Sequence, residues 1–152
     1  MRFWRICRGR FAADAATGEG ARLYGGRWNS RGVRVVYAST SLALAAMETF
    51  VNLEPNVQPT DLVSIQGETP EGVEIERLEP KDLPPAWHKA RNQSLRRYGD
   101  EWISAGRTAA LLVPSAAVSG EWNVLLNPLH PKFDRIKFNR PQPFHFDARM
   151  FR

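Results

Sequence analysis

The residue types able to do chemistry crowd into one stretch, Arg22 to Asn52. An arginine rides on a Gly-rich turn (Tyr24-Gly25-Gly26-Arg27-Trp28), a tyrosine, Tyr37, lies near the end of a β-branched run from Val33 to Ala38, and a carboxylate, Glu48, falls in the helix-forming run that follows. Thr40 or Ser41 is the expected N-cap of that helix. Leu44, Met47 and Val51 define its apolar stripe, and Glu48, i+4 from Leu44, shares it. A carboxylate on a core-facing side is costly unless paired or hydrogen-bonded. Two readings follow: Glu48 lies at the stripe's edge, turned to solvent or paired with an arginine, or it stands at the wall of a ligand cleft, where burial tunes and aims it. Arg27 supplies a guanidinium fork suited to phosphate or carboxylate. Ser115, after Pro114 at the end of the candidate strand Thr108 to Val113, is either a turn hydroxyl bonding local backbone or a group that orients a ligand or side chain.

The elements that must position these groups read as strands, a helix, strands, a helix and strands again. Phe3 to Cys7 is a first strand with Trp4 and Ile6 on one face and Arg5 on the other, the usual place for a solvated arginine. Residues 8–21 read as a loop or flexible lid. Asp61 to Gly67 and Val73 to Leu78 read as strands, and Trp87 to Ala105 as a helix bent near Gly99 and stopped by Gly106, with Lys89, Arg91, Arg96 and Arg97 forming a solvated face. Trp122 to Leu126, Arg135 to Phe138 and Pro143 to Phe146 complete the strands. Without regular βαβ alternation, the pattern predicts an α+β fold with mostly antiparallel strands.

A chain of 152 residues implies one domain, 1–152. With 43% apolar and 24% charged residues it belongs with globular proteins rather than disordered ones. One cysteine, Cys7, rules out an internal disulfide framework and suits a reducing cytoplasm. No apolar run approaches the ~20 residues of a membrane span, and the N-terminus lacks the apolar core of a secretory signal. The net charge of +5 is mostly arginine, scattered from Arg2 to Arg152 rather than clustered, which argues against nucleic acid as direct partner. Neither a dinucleotide nor a P-loop glycine motif is present. His88, His130 and His145 lack metal-ligand spacing, so no metal is expected. A Ser115–His130–Asp134 triad lacks a nucleophile elbow and is set aside.

Taken together the chain resembles the RES domain family, the toxin half of RES–Xre toxin–antitoxin modules. The family's Arg, Glu and Ser correspond to Arg27 in GGRWNSRG, Glu48 in AAMETFVNLE and Ser115 in LLVPSA. The likeness continues in WRI at Trp4 to Ile6, VVYAS at 35–39, E-x-N-x-L-L-N-P-x-H-P from Glu121 to Pro131, and the terminal FDARMF, while residues 55–100 carry little of it. The resemblance implies an ADP-ribosyltransferase-like fold, a mixed split β-sheet with flanking helices, and action on NAD+. That action is cleavage of the nicotinamide–ribose bond by hydrolysis or phosphorolysis, or ADP-ribosyl transfer to a protein. It places Arg5, Arg27, Tyr37, Glu48 and Ser115 at the NAD site, with Glu48, Arg27 and Ser115 catalytic. It implies an Xre-type antitoxin as partner, contact with nucleic acid only through that antitoxin, and allows a homodimer within the complex. Asn123 and Asn127 are expected to tie down the loop beside the site, and Trp28 and Trp122 to form core or cleft wall. The alternative from residue chemistry alone is a non-catalytic nucleotide- or nucleic-acid-binding module.

Overall fold

The computed structural model describes residues 1–89 and 93–152. Eight strands form one sheet: β1 (Arg2–Arg8), β2 (Val36–Ser39), β3 (Leu62–Glu68), β4 (Ile75–Arg77), β5 (Ala110–Pro114), β6 (Trp122–Leu126), β7 (Lys137–Phe138) and β8 (Gln142–Pro143). Their order is β4-β5-β6-β2-β1-β3-β7, with β8 also beside β3. Every pairing is antiparallel except β4–β5. Three helices accompany the sheet: α1 (Glu19–Tyr24), α2 (Leu42–Phe50) and α3 (Gln93–Ala105). The fold is α+β, as the sequence pattern predicts.

Side-chain alternation along the strands builds two cores, one on each face. Phe3, Val36, Ala38, Ala110, Val124 and Leu126 fill one; Leu111, Val113 and Leu125 face the other, covered by Leu95, Trp102 and Ile103 of α3 and by Trp28. At 25 cal/mol per Å² of apolar surface, each such buried side chain contributes roughly 1.5–3 kcal/mol. The sheet has a seam. β1 registers with all of β3, yet with β2 it pairs only at Trp4 and Ser39.

Several sequence expectations shift. Ser41, not Thr40, caps α2: its Oγ accepts the Leu44 amide at 3.0 Å, while Thr40 bonds the Trp122 carbonyl. The expected stripe of α2 fails beyond Leu44, because Met47 and Val51 are exposed. The helix ends at Phe50; it buries Leu44 and Ala45 in its first turn and sets Phe50 edge-on against Phe146 and Phe151. Residues 8–21 are no open loop: a 3₁₀ stretch, Gly9–Asp14, leads toward α1, where Glu19 pairs with Arg22 and Arg34. α3, described over Gln93–Ala105, runs through Gly99 unbroken to a Gly106 at φ +62°; the predicted Arg91 of its solvated face lies outside the described residues. β7 and β8 are two residues each, shorter than the predicted strands.

Candidate active site

The Gly25–Ser30 turn that carries Arg27 is braced from two sides. α3 supplies one: Arg96 Nε donates to the Gly26 carbonyl at 3.2 Å, and Asp100 Oδ1 accepts the Ser30 amide at 2.9 Å. Arg96 is therefore a brace rather than part of a solvated face. Tyr37 supplies the other: its hydroxyl donates to Asn29 Oδ1 at 2.6 Å and accepts the Trp28 amide at 3.0 Å. Gly26 lies so close to that hydroxyl that a Cβ there would sit 2.7 Å from it. Held in this way, Arg27 donates from Nη1 to the Trp87 carbonyl at 3.1 Å.

Burial pushes the Tyr37 hydroxyl well above its ordinary value of 10.0. The folded protein thus holds this proton more tightly than the unfolded chain. The stability Tyr37 confers is complete below pH ~10 and is lost as pH rises above the unfolded-state value. Tyr37→Phe, which leaves the Trp28 amide without its acceptor, should lower stability by about 1–3 kcal/mol below pH 10. The gap between the two proteins should narrow above it. Urea unfolding at pH 8 and at pH 11 checks this; an unchanged gap removes the tyrosine from the account.

Arg5 departs from the solvated-face expectation. Its Nη1 donates to the Tyr37 carbonyl at 2.8 Å, closing with a side chain the seam where the main chains of β1 and β2 part. Its Nε is buried with no partner among the described residues, and burial lowers the guanidinium's pKa although Cys7 opposes this. Arginine stays charged regardless.

Glu48 is half-buried, and its Oε1 accepts two hydrogen bonds: from Ser115 Oγ at 2.6 Å and from Asn123 Nδ2 at 2.5 Å. This geometry is neither a solvated stripe edge nor an arginine pair. Ser115, 4% exposed, satisfies both sequence readings at once. Its Oγ accepts the Ala117 and Val118 amides at 3.1 and 3.0 Å, as a turn hydroxyl does, and its one proton goes to Glu48. His130 plays no part: its Nδ1 accepts the Lys132 amide in a local turn.

Beside Ser115 opens a cavity of about 330 Å³ whose walls include Trp87, His88, Trp122 and Glu121. Trp122 is stacked by Arg77 at 3.9 Å. Glu48 meets this cavity through Ser115, and Arg27 meets it through Trp87. Among the described residues no hydrogen bond joins Arg27 to Glu48 or Ser115. The five predicted site residues thus fall into two directly bonded pairs, Glu48–Ser115 and Arg5–Tyr37, with Arg27 bonded to the main chain of the cavity-lining Trp87.

Sequence reasoning placed Asn123 with the loop and missed its bond to Glu48. The signal was present: an amide inside the otherwise apolar strand WNVLL must find a partner. Asn127 does what was expected, since its Nδ2 donates to the Ile103 carbonyl and its Oδ1 accepts the Leu129 amide.

Comparison with known proteins agrees with the fold and with the family resemblance. The RES domain model matches residues 2–147. The "Prs ADP-ribosylating toxin" of Sphingobium sp. (strain YBL2) is 40% identical over 156 residues, covering 99% of this chain and 96% of that one. A "Toxin Res" of Yersinia enterocolitica is 36% identical over 152 residues, covering 99% of both chains. In fold, the chain is similar to the crystal structure of the M. tuberculosis MbcT–MbcA toxin–antitoxin complex, with a TM-score of 0.65 over 99% of this chain and 86% of that one at 16% identity. A family match along nearly the whole sequence, with relatives of this identity and coverage, shows that the chain belongs to the RES domain family.

Proposed function

We propose that this protein is the toxin of a type II toxin–antitoxin module and that it consumes NAD+ by cleaving the nicotinamide–ribose bond. The observation that carries this reading is the aimed carboxylate, Glu48, held through one oxygen by Asn123 and by Ser115, which itself lines the cavity. Breaking an N-glycosidic bond builds oxocarbenium character on the ribose. A fixed carboxylate beside it stabilises that charge and accepts a ribose hydroxyl. Nicotinamide departs as a neutral base, so a strong general acid is not required. The same carboxylate can orient or deprotonate whichever acceptor attacks.

The other residues fit the rest of the substrate. A pyrophosphate needs guanidinium donors, and Arg5 has one unmet among the described residues while Arg27 is bonded to the carbonyl of the cavity-lining Trp87. The flat, cationic nicotinamide ring needs aromatic faces. Tyr37, which the resemblance places at the NAD site, has its hydroxyl committed to the Arg27 turn. Trp87 and Trp122, with Glu121 at the same cavity, offer faces and charge suited to a cationic ring. The relatives' names and the antitoxin seated in the neighbouring structure support the biological setting. An Xre-type antitoxin that covers this site is the partner the reading calls for.

Pure protein incubated with NAD+, with and without phosphate and with cell lysate, tests the proposal. Nicotinamide release is expected. Free ADP-ribose marks hydrolysis, a phosphorylated ADP-ribose marks phosphorolysis, and a labelled polypeptide marks transfer. Salt-sensitive nucleic-acid binding without nicotinamide release would instead establish a binding module.

A further inference from the structure

Glu48 is gripped by one oxygen only. Ser115 and Asn123 both donate to Oε1, and no donor among the described residues is bonded to Oε2. Each donor is itself fixed. The Ser115 hydroxyl accepts two backbone amides, which leaves its proton one direction. Asn123 Oδ1 accepts the buried Ser39 hydroxyl at 2.7 Å, which commits Nδ2 to the carboxylate. Ser39 and Asn123 face one another in the β2–β6 register, and Asn123 faces Val113 in β5–β6, so the amide stands on three paired strands.

We propose that Asn123, oriented by Ser39, is a positioning residue for bond cleavage: it fixes Oε1 so that Oε2 is the oxygen presented to the ribose. The inference rests on the NAD+-cleaving reading of the site. Ser115 alone sets how far the carboxylate reaches but leaves it free to turn about that single bond. A second donor on the same oxygen stops the rotation. Misplacing a reacting group by about 1 Å costs on the order of 100-fold in rate, so the second donor matters to turnover more than to substrate binding.

The test is a set of three variants with NAD+ as the probe. Asn123→Ala should lower kcat by about 10–100-fold while KM stays within about threefold. Ser39→Ala should lower kcat by a smaller factor. The double variant should match Asn123→Ala, because Ser39 acts only through the amide. An Asn123→Ala protein with wild-type kcat, or a double variant in which both factors multiply, overturns the proposal. Crystal structures of Asn123→Ala and Ser39→Ala give a readout apart from turnover: the Glu48 carboxylate should turn away from its present direction, and an unmoved carboxylate overturns the proposal. If Asn123→Ala does not fold, Ser39→Ala answers the same question. If the wild type releases no nicotinamide, the reading of function fails by itself, and the grip on Glu48 is judged on the carboxylate's orientation.

Discussion

Glu48→Gln should abolish NAD+ cleavage, by on the order of 10²–10³-fold in kcat, with little change in stability. The amide retains an Oε1 able to accept from both Ser115 and Asn123, so neither donor loses its partner. Only the charge is removed. Exchanging two charge-assisted hydrogen bonds for neutral ones at a half-buried site changes stability by about 1 kcal/mol. Glu48→Ala is the poorer probe, because it strands the nearly buried Ser115 hydroxyl and the Asn123 amide and adds about 1–3 kcal/mol of desolvation cost. Nicotinamide release and a thermal melt on the same preparation decide the matter. A Gln variant that still turns over at wild-type rate removes Glu48 from the chemistry.

The largest effect on stability is expected at Gly99. In an exposed helix interior, glycine to alanine gains up to about 1 kcal/mol. Gly99 is buried, and a Cβ there would lie 1.7 Å from the Trp28 carbonyl oxygen, an overlap that only a backbone shift relieves. Overpacking of this kind costs about 1–3 kcal/mol and occasionally more, which outweighs the propensity gain. The rigid partners make the upper end the expectation, a fall of roughly 6–12 °C in Tm at 2–4 °C per kcal/mol. Gly20→Ala is the control, since nothing lies within 4 Å of the added carbon. It should leave Tm unchanged or slightly raised. Because α3 braces the Arg27 turn through Arg96 and Asp100, Gly99→Ala should also reduce turnover in whatever fraction stays folded.

The sequence made parts of this molecule legible because local signals and tertiary demands coincide there. Trp122 to Leu126 is a strand as predicted, since four apolar residues around one asparagine suit a buried central position. Ser41 and Gly106 mark helix ends by chemistry that acts within a turn. Glu48 and Ser115 were legible through family resemblance and through the cost of burying a carboxylate. Where tertiary contacts overrule local pattern, reading failed. The 8–21 segment forms helical turns whose charges are matched by Arg34, beyond the segment itself. The helical spacing of Met47 and Val51 implies a longer buried stripe, but α2 buries only Leu44 and Ala45 and leaves both of these exposed. Arg5 is buried because a seam between two strands gives it a carbonyl, and no strand pattern announces a seam.

The bonds to Glu48 span 67 and 75 residues of chain. Contacts that distant carry the entropy of closing a long loop. During synthesis the acid on α2 has neither of its holders until β5 and β6 have emerged and paired. A polypeptide terminated before β6 therefore contains the acid but no means of aiming it, and Glu48 gains both holders only once the chain has been made through Leu126.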